Sequence, residues 1–219
     1  FPAGRSYDRV LTISRSGTTT EILELLGQLT DVPTVLVTAV DDSPCAAAAD
    51  ATIGLGFADE QSVVQTRFAT TALALLRAHL GEDLEPLALD AEKALAVDVT
   101  GLLDLEQVTF LGRGWTVGLA HEAALKTREA AQFWAESYPA MDYRHGPISI
   151  AQPGRAVWTL GEVPAGLDAD IAATGAQHVH HDLDPLAALV VAQRFAVALA
   201  EHRGLDPDQP RSLTRAVIL

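Results

Sequence analysis

The sequence predicts an α/β protein whose parallel sheets are covered by helices. Two observations carry this: short β-rich runs alternate with helix-patterned segments along nearly the whole chain, and a Ser/Thr/Gly loop joins the first such run to its helix. With 219 residues, 48% of them hydrophobic, the chain can bury a substantial core in one large or two small domains. In order, RVLTIS (9–14) reads as a strand, EILELLGQL (21–29) as a helix, and TVLVTA (34–39) and ATIGLG (51–56) as two more strands with a small helix between them. TRFATTALALLRAHL (66–80) is a long amphipathic or buried helix, and residues 86–101 a connecting helix between two α/β halves. QVTFLG (107–112) opens the second half, followed by a Gly-Arg-Gly turn and an Ala-rich helix, AHEAALKTREAAQFWAE (120–136), with no internal Gly or Pro. Further strands are expected near 138–142, 155–160 and 177–182, then a helix over about 186–203. Only one strand-like run separates Gly161 from Pro185, where two would be expected.

A net charge of −14 leaves no basic stripe to release counterions, which argues against a nucleic-acid or anionic-membrane surface. An anionic ligand must therefore be held by local donors. The single cysteine, Cys45, excludes an intramolecular disulfide framework and fits a reducing cytoplasm. No apolar run approaches the roughly 20 residues that span a bilayer, and FPAGRSYDR lacks the apolar stretch of a signal peptide.

Two segments concentrate chemistry-bearing residues. Ser14, Arg15, Ser16, Gly17, Thr18 and Thr19 lie between a strand and a helix, so their hydroxyls and the N–H groups of the first helical turn can converge on one phosphate, with Gly17 allowing close approach. The same residues also suit a plain helix N-cap. Further on, Glu122, Lys126 and Glu129 follow an i, i+4, i+7 spacing on one helix face. The chain has two lysines against thirteen arginines, so a lysine there stands out. Taken alone, Glu129 is better read as a solvated helix-face carboxylate, and Lys126 as its partner in a pairing worth only ~0.2–0.5 kcal/mol. His145 precedes Gly-Pro and so sits at a turn, free to act as an acid/base or to bond the backbone. His178 and His180 would share one strand face beside His181 and Asp182, a pattern commoner in solvent-facing histidines than in metal sites, and no metal or other cofactor is expected.

Four motifs in order resemble the sugar isomerase (SIS) family, in particular the isomerase half of glucosamine-6-phosphate synthase and related phosphosugar isomerases, deaminases and deglycases. They are SRSGTTTE (14–21), EQSVVQTRF (60–68), FLGRG with HEAALKTRE and YRHGP (110–147), and GLDPDQPRSLTRAV (204–217). The resemblance implies two SIS domains, each a three-layer α/β/α sandwich around a mainly parallel sheet. A first domain over 1–84 lacks its opening strands, which points to a missing natural N-terminus. A connecting helix over 85–104, a second domain over 105–203 and a tail over 204–219 closing on the site complete the expected organisation. By the same resemblance Glu129 moves a proton between C1 and C2 of an open-chain sugar, Lys126 stabilises the enediolate or orients Glu129, and Glu122 supports them. His145 opens the sugar ring, contributed by the neighbouring subunit of a homodimer. Residues 14–19 hold the phosphate, while Val63, Gln65 and Arg215 line the substrate site.

One departure bears on the reaction. Where the synthase tail carries an imine-forming lysine, this chain has Arg215, which stays protonated and cannot act as an amine nucleophile. Arg15 likewise stands where a neutral residue is common. Nor does the chain include a glutaminase segment with its cysteine nucleophile, so the expected activity is aldose/ketose isomerisation of a hexose 6-phosphate or amino-hexose 6-phosphate. Deamination or fructosamine-6-phosphate deglycation shares the same proton transfer. A non-catalytic sugar-phosphate sensor is the alternative of another class, distinguished by binding without turnover.

Overall fold

A computed structural model describes residues 5–218; the outermost residues of the expected first domain and tail, 1–4 and 219, lie outside that range. The chain divides into two compact units, one of residues 5–82 with 212–218 and one of Asp83–Arg211.

The first unit is built on β1 (Val10–Ile13), β2 (Thr34–Thr38) and β3 (Ala51–Gly54), all parallel with β2 central. The β-branched run TVLVT suits that place, because its alternate side chains serve opposite faces. Leu36 packs with Cys45 and with Leu26 of α1 (Thr20–Gln28), beside α2 (Pro44–Ala48). Val37 packs on the other face with Phe68 and Ala72 of α3 (Arg67–His79). The Asp50 carboxylate accepts from the Thr34 N–H at 2.8 Å and its hydroxyl at 2.9 Å, fixing the register at the start of β2. On the edge strand β1, Val10 and Thr12 are buried whereas Leu11 and Ile13 remain 42% and 44% exposed.

The second unit carries a parallel sheet in the order β5-β4-β6-β7, formed by β4 (Gln107–Gly112), β5 (Ala135–Pro139), β6 (Arg155–Leu160) and β7 (Gln177–His180). Every residue of β4 is buried, as an inner strand covered on both faces requires. On one face the rings of Phe110 and Trp158, register partners, lie 5.6 Å apart at a tilt of 32°, and Trp158 meets Phe195 of α7 (Pro185–His202) at 5.7 Å. α5 (Thr116–Ala131) and α4 (Glu85–Ala96) both pack against α7. On the other face Leu111 and Val157 join Tyr143 and, from α6 (Leu167–Thr174), Leu167 and Ile171.

Two expectations are corrected, and one helix is added. The Ala-rich helix does not continue to 136: Gln132 turns left-handed at φ 49° and the chain returns as β5, so the strand expected near 138–142 begins at Ala135. Pairing of Ala135 with Val108 and burial of Phe133 override local helix propensity. The helix expected over 86–101 stops at Ala96, and Asp98 then accepts from the Thr100 N–H and hydroxyl to start a separate 3₁₀ turn. Between Gly161 and Pro185 the chain forms the helix α6 and then β7. Leu167 and Ile171 at i, i+4, with Gly175 left-handed at the C-cap, were the available signal for that helix.

Candidate functional site

The side chains singled out in the sequence fall into two groups, one in each unit. In the first, β1 ends at Ile13 and residues 14–19 lead into α1. Gly17 takes φ +63°, and a Cβ there would stand 1.9 Å from the Ser43 hydroxyl, so the turn admits only glycine. Ser14 Oγ accepts from the Gly17 N–H at 3.2 Å and lies 3.4 Å from Thr19 Oγ1; Ser16 Oγ accepts from Thr18 Oγ1 at 3.0 Å. Thr19 is the N-cap of α1, yet its side chain makes no capping bond. Its hydroxyl is thus not spent on the helix.

This loop borders a cleft of about 530 Å³ in the first unit, lined by Ser14, Arg15, Ser16, Thr19, Gln65 and Arg215, with Glu21 and the apolar face of α3 completing it. Gly17, Thr18 and Val63 stand outside its lining. Arg15 is only 2% exposed; its guanidinium donates to the carbonyls of Ser62 at 2.7 Å and Arg215 at 3.1 Å, while its Nε has no partner. Burial, then repulsion from Arg215, pulls its pKa below the usual value, against the pull of Glu60 and Asp59. Arg215 in turn donates to the Glu60 carbonyl at 2.6 Å and pairs with Asp59 Oδ1 at 2.6 Å. The tail also reaches the head of α1, where the Val217 carbonyl accepts from the Thr20 N–H at 3.2 Å. Sequence reasoning missed Asp59, Glu60 and Ser62 as anchors, because their role comes from distant partners.

In the second unit, Gly112 and Thr116 set the start of α5. A Cβ on Gly112 would lie 2.2 Å from the Thr116 carbonyl oxygen, and the Thr116 hydroxyl accepts from the Arg113 N–H and donates to the Leu160 carbonyl, each at 2.8 Å. Small buried residues, Ala120, Ala123, Ala124 and Ala131, let α5 lie close to its neighbours. Lys126 emerges on that helix only 5% exposed, with Nζ 2.6 Å from Glu129 Oε2 and 3.7 Å from Glu122 Oε1. The two carboxylate side chains are 20% and 23% exposed. A buried ammonium is thus held beside a carboxylate that solvent can reach.

His145 is exposed and ends the 3₁₀ turn Tyr143–His145, which the fully buried Tyr143 ring anchors. Among the described residues no hydrogen bond or ion pair joins His145 to Lys126 or Glu129. His178 and His180 do share a face of β7, their rings stacked 6.5 Å apart, with His178 Nε2 3.0 Å from Thr159 Oγ1. Burial, and then the neighbouring His180, lowers the pKa of both His178 and His181. Among the described residues no group of three or more His, Cys, Asp or Glu is placed to hold a metal ion.

No family model matches the chain. A glutamine–fructose-6-phosphate aminotransferase (isomerizing) of Oceanobacillus iheyensis is 30% identical over 256 residues, covering 94% of this chain and 42% of that protein. Among solved structures, a glucosamine-6-phosphate deaminase of Thermotoga maritima superposes with a TM-score of 0.84 over 100% of this chain and 78% of that one, at 23% identity. The chain has the SIS fold. The C-terminal domain of a glucosamine-fructose-6-phosphate aminotransferase from Francisella tularensis agrees, with a TM-score of 0.79 over 96% of this chain and 76% of that one, at 22% identity. At such identities the two structures establish the SIS fold and nothing finer. The chain spans less than half the length of these curated relatives. Among the described residues no helix is long and apolar enough to cross a membrane.

Proposed function

We propose that this chain is an aldose/ketose isomerase acting on a hexose 6-phosphate or amino-hexose 6-phosphate by proton transfer through an enediol. The observation that carries the reading is the ammonium of Lys126, 5% exposed and 2.6 Å from Glu129. An exposed helix pair contributes a few tenths of a kcal/mol and has no reason to be buried. Catalysis gives this one a purpose: a carboxylate takes the proton from one carbon and returns it to the next, and a nearby cation stabilises the developing oxyanion. His145, exposed on its turn, supplies the acid/base for ring opening, within a homodimer in which it serves the partner's site. The phosphate goes to the cleft lined by Ser14, Arg15, Ser16 and Thr19, and Gln65 and Arg215 contact the substrate beside it. Val63, Gly17 and Thr18 shape that region from outside the lining.

In this reading the two units are paired SIS domains, the first a short one, with bounds near 1–84 and 105–203, a connecting segment over 85–104 and a tail over 204–219. A reducing cytoplasm suits the free, buried thiol of Cys45. A second reading, release of an amine from an amino-sugar phosphate, uses the same proton transfer, and the likeness to a deaminase structure favours keeping it. Arg215, pinned by Asp59 and the Glu60 carbonyl, offers no amine for an imine.

Incubation with fructose 6-phosphate, glucosamine 6-phosphate, tagatose 6-phosphate and fructosamine 6-phosphates, scored for isomer and for ammonia, tests and separates these readings. Binding without turnover of any of them identifies a sensor. For the phosphate itself, Ser16→Ala removes a donor to a charged acceptor and is expected to cost ~1.5–3 kcal/mol of binding. Equal affinity for phosphorylated and unphosphorylated sugars would remove the phosphate site.

A further inference from the structure

Arg15 is a buried cation without a counterion. Its guanidinium makes no ion pair among the described residues; its two bonded nitrogens face the neutral carbonyls of Ser62 and Arg215, and its Nε has no acceptor. The two carboxylates that act on it electrostatically are engaged elsewhere. Asp59 pairs with Arg215, and Glu60 accepts from the N–H groups of Thr66, Arg67 and Phe68 at the start of α3. The other polar groups of the cleft bring no net positive charge to it. Ser14, Ser16 and Thr19 offer neutral hydroxyls, Gln65 an amide, Arg215 a cation already paired, and Glu21 a carboxylate. Even the head of α1 is partly covered, since the Val217 carbonyl takes the Thr20 N–H. A cation buried in this way is costly unless an anion completes it.

We propose that Arg15 makes the first-unit cleft selective for doubly charged phosphate monoesters over singly charged groups of the same shape. The inference rests on the phosphate reading above and adds its charge selectivity. A sulfate monoester offers hydroxyl donors the same tetrahedron of oxygens as a phosphate monoester, so neutral donors hold both alike. Above the second phosphate pKa near 6 the two differ by about one charge, and an uncompensated cation reads that difference most strongly.

The test is calorimetric titration of the full chain at pH 8 with glucose, glucose 6-phosphate and glucose 6-sulfate, for the wild type, Arg15→Gln and Arg15→Lys. The wild type is expected to prefer the phosphate over the sulfate on the order of tenfold. Arg15→Gln should weaken phosphate binding more than sulfate binding and bring that ratio near one. Arg15→Lys should keep the preference, because it keeps the charge while losing the fork that holds Ser62 and Arg215. A wild-type ratio near one overturns the proposal, as does an Arg15→Gln variant that weakens both ligands alike or a folded Arg15→Lys variant that loses the preference. Should Arg15→Gln not fold, the wild-type and Lys ratios decide. If neither charged sugar outbinds glucose, the phosphate site itself fails; if both do so equally, only the role of Arg15 fails.

Discussion

At position 129 a carboxylate reaches solvent and a buried ammonium at once, and that combination makes a specific expectation. Glutamine has nearly the same shape and can still accept a hydrogen bond from Lys126, but it cannot take a proton. Glu129→Gln should therefore bind a hexose 6-phosphate about as well as the wild type while turnover falls by about two orders of magnitude or more. Exchange of the C1 or C2 hydrogen with deuterated water, followed by NMR, checks the assignment directly. Exchange at the wild-type rate in the variant would move the base to Glu122 or Glu136. The helix spacing in the sequence placed Glu122, Lys126 and Glu129 on one face, because an i, i+4, i+7 pattern is a property of the helix alone. It did not foretell that Lys126 would be buried, since burial comes from the elements packed around α5.

Among the elements, the β4–α5 junction bears most directly on that face. With backbone from Thr116 and Val117 already 2.2–2.6 Å from the space a Cβ would need, Gly112→Ala has no side chain to push aside and must displace the head of α5 itself. We expect a loss of about 3 kcal/mol of stability, the upper part of the usual range for overpacking, read as a lowered midpoint in urea, with turnover falling even under conditions where the protein is folded. A full-length protein of wild-type midpoint would show that the junction yields more easily than its geometry implies. The turn that carries His145 depends on Tyr143, whose phenol is pushed up to about 12, chiefly by burial. The sign follows: a raised folded pKa favours the neutral form, so this contribution to stability is complete below the unfolded value near 10 and is lost as pH climbs toward 12. Tyr143→Phe should keep the ring packing and flatten part of the fall in thermal midpoint between about pH 10 and 12. An unchanged alkaline profile would mean that this phenol does not drive it.

For the molecule as a whole, the expected homodimer with shared sites can be tested by mixing. Glu129→Gln and His145→Ala chains, each inactive alone, should regain part of the activity when combined, because some heterodimers hold one intact site. Mixed dimers that demonstrably form and stay inactive would end the shared-site idea. The sequence by itself determined the α/β class, the order of strands and helices from β1 to α7 apart from α6, and the two polar segments, since periodicity, turn residues and loop chemistry are read within a few residues. The tertiary structure alone decided where α5 stops, through the pairing of Ala135 with Val108. It also decided that Arg215, expected to line the substrate site in place of a lysine, is clasped by Asp59 and the Glu60 carbonyl. Arg15 finds its acceptors 47 and 200 residues away along the chain, at Ser62 and Arg215. A side chain becomes a buried, uncompensated charge only when segments that far apart exclude water from it together, and no local pattern records which segments will do so.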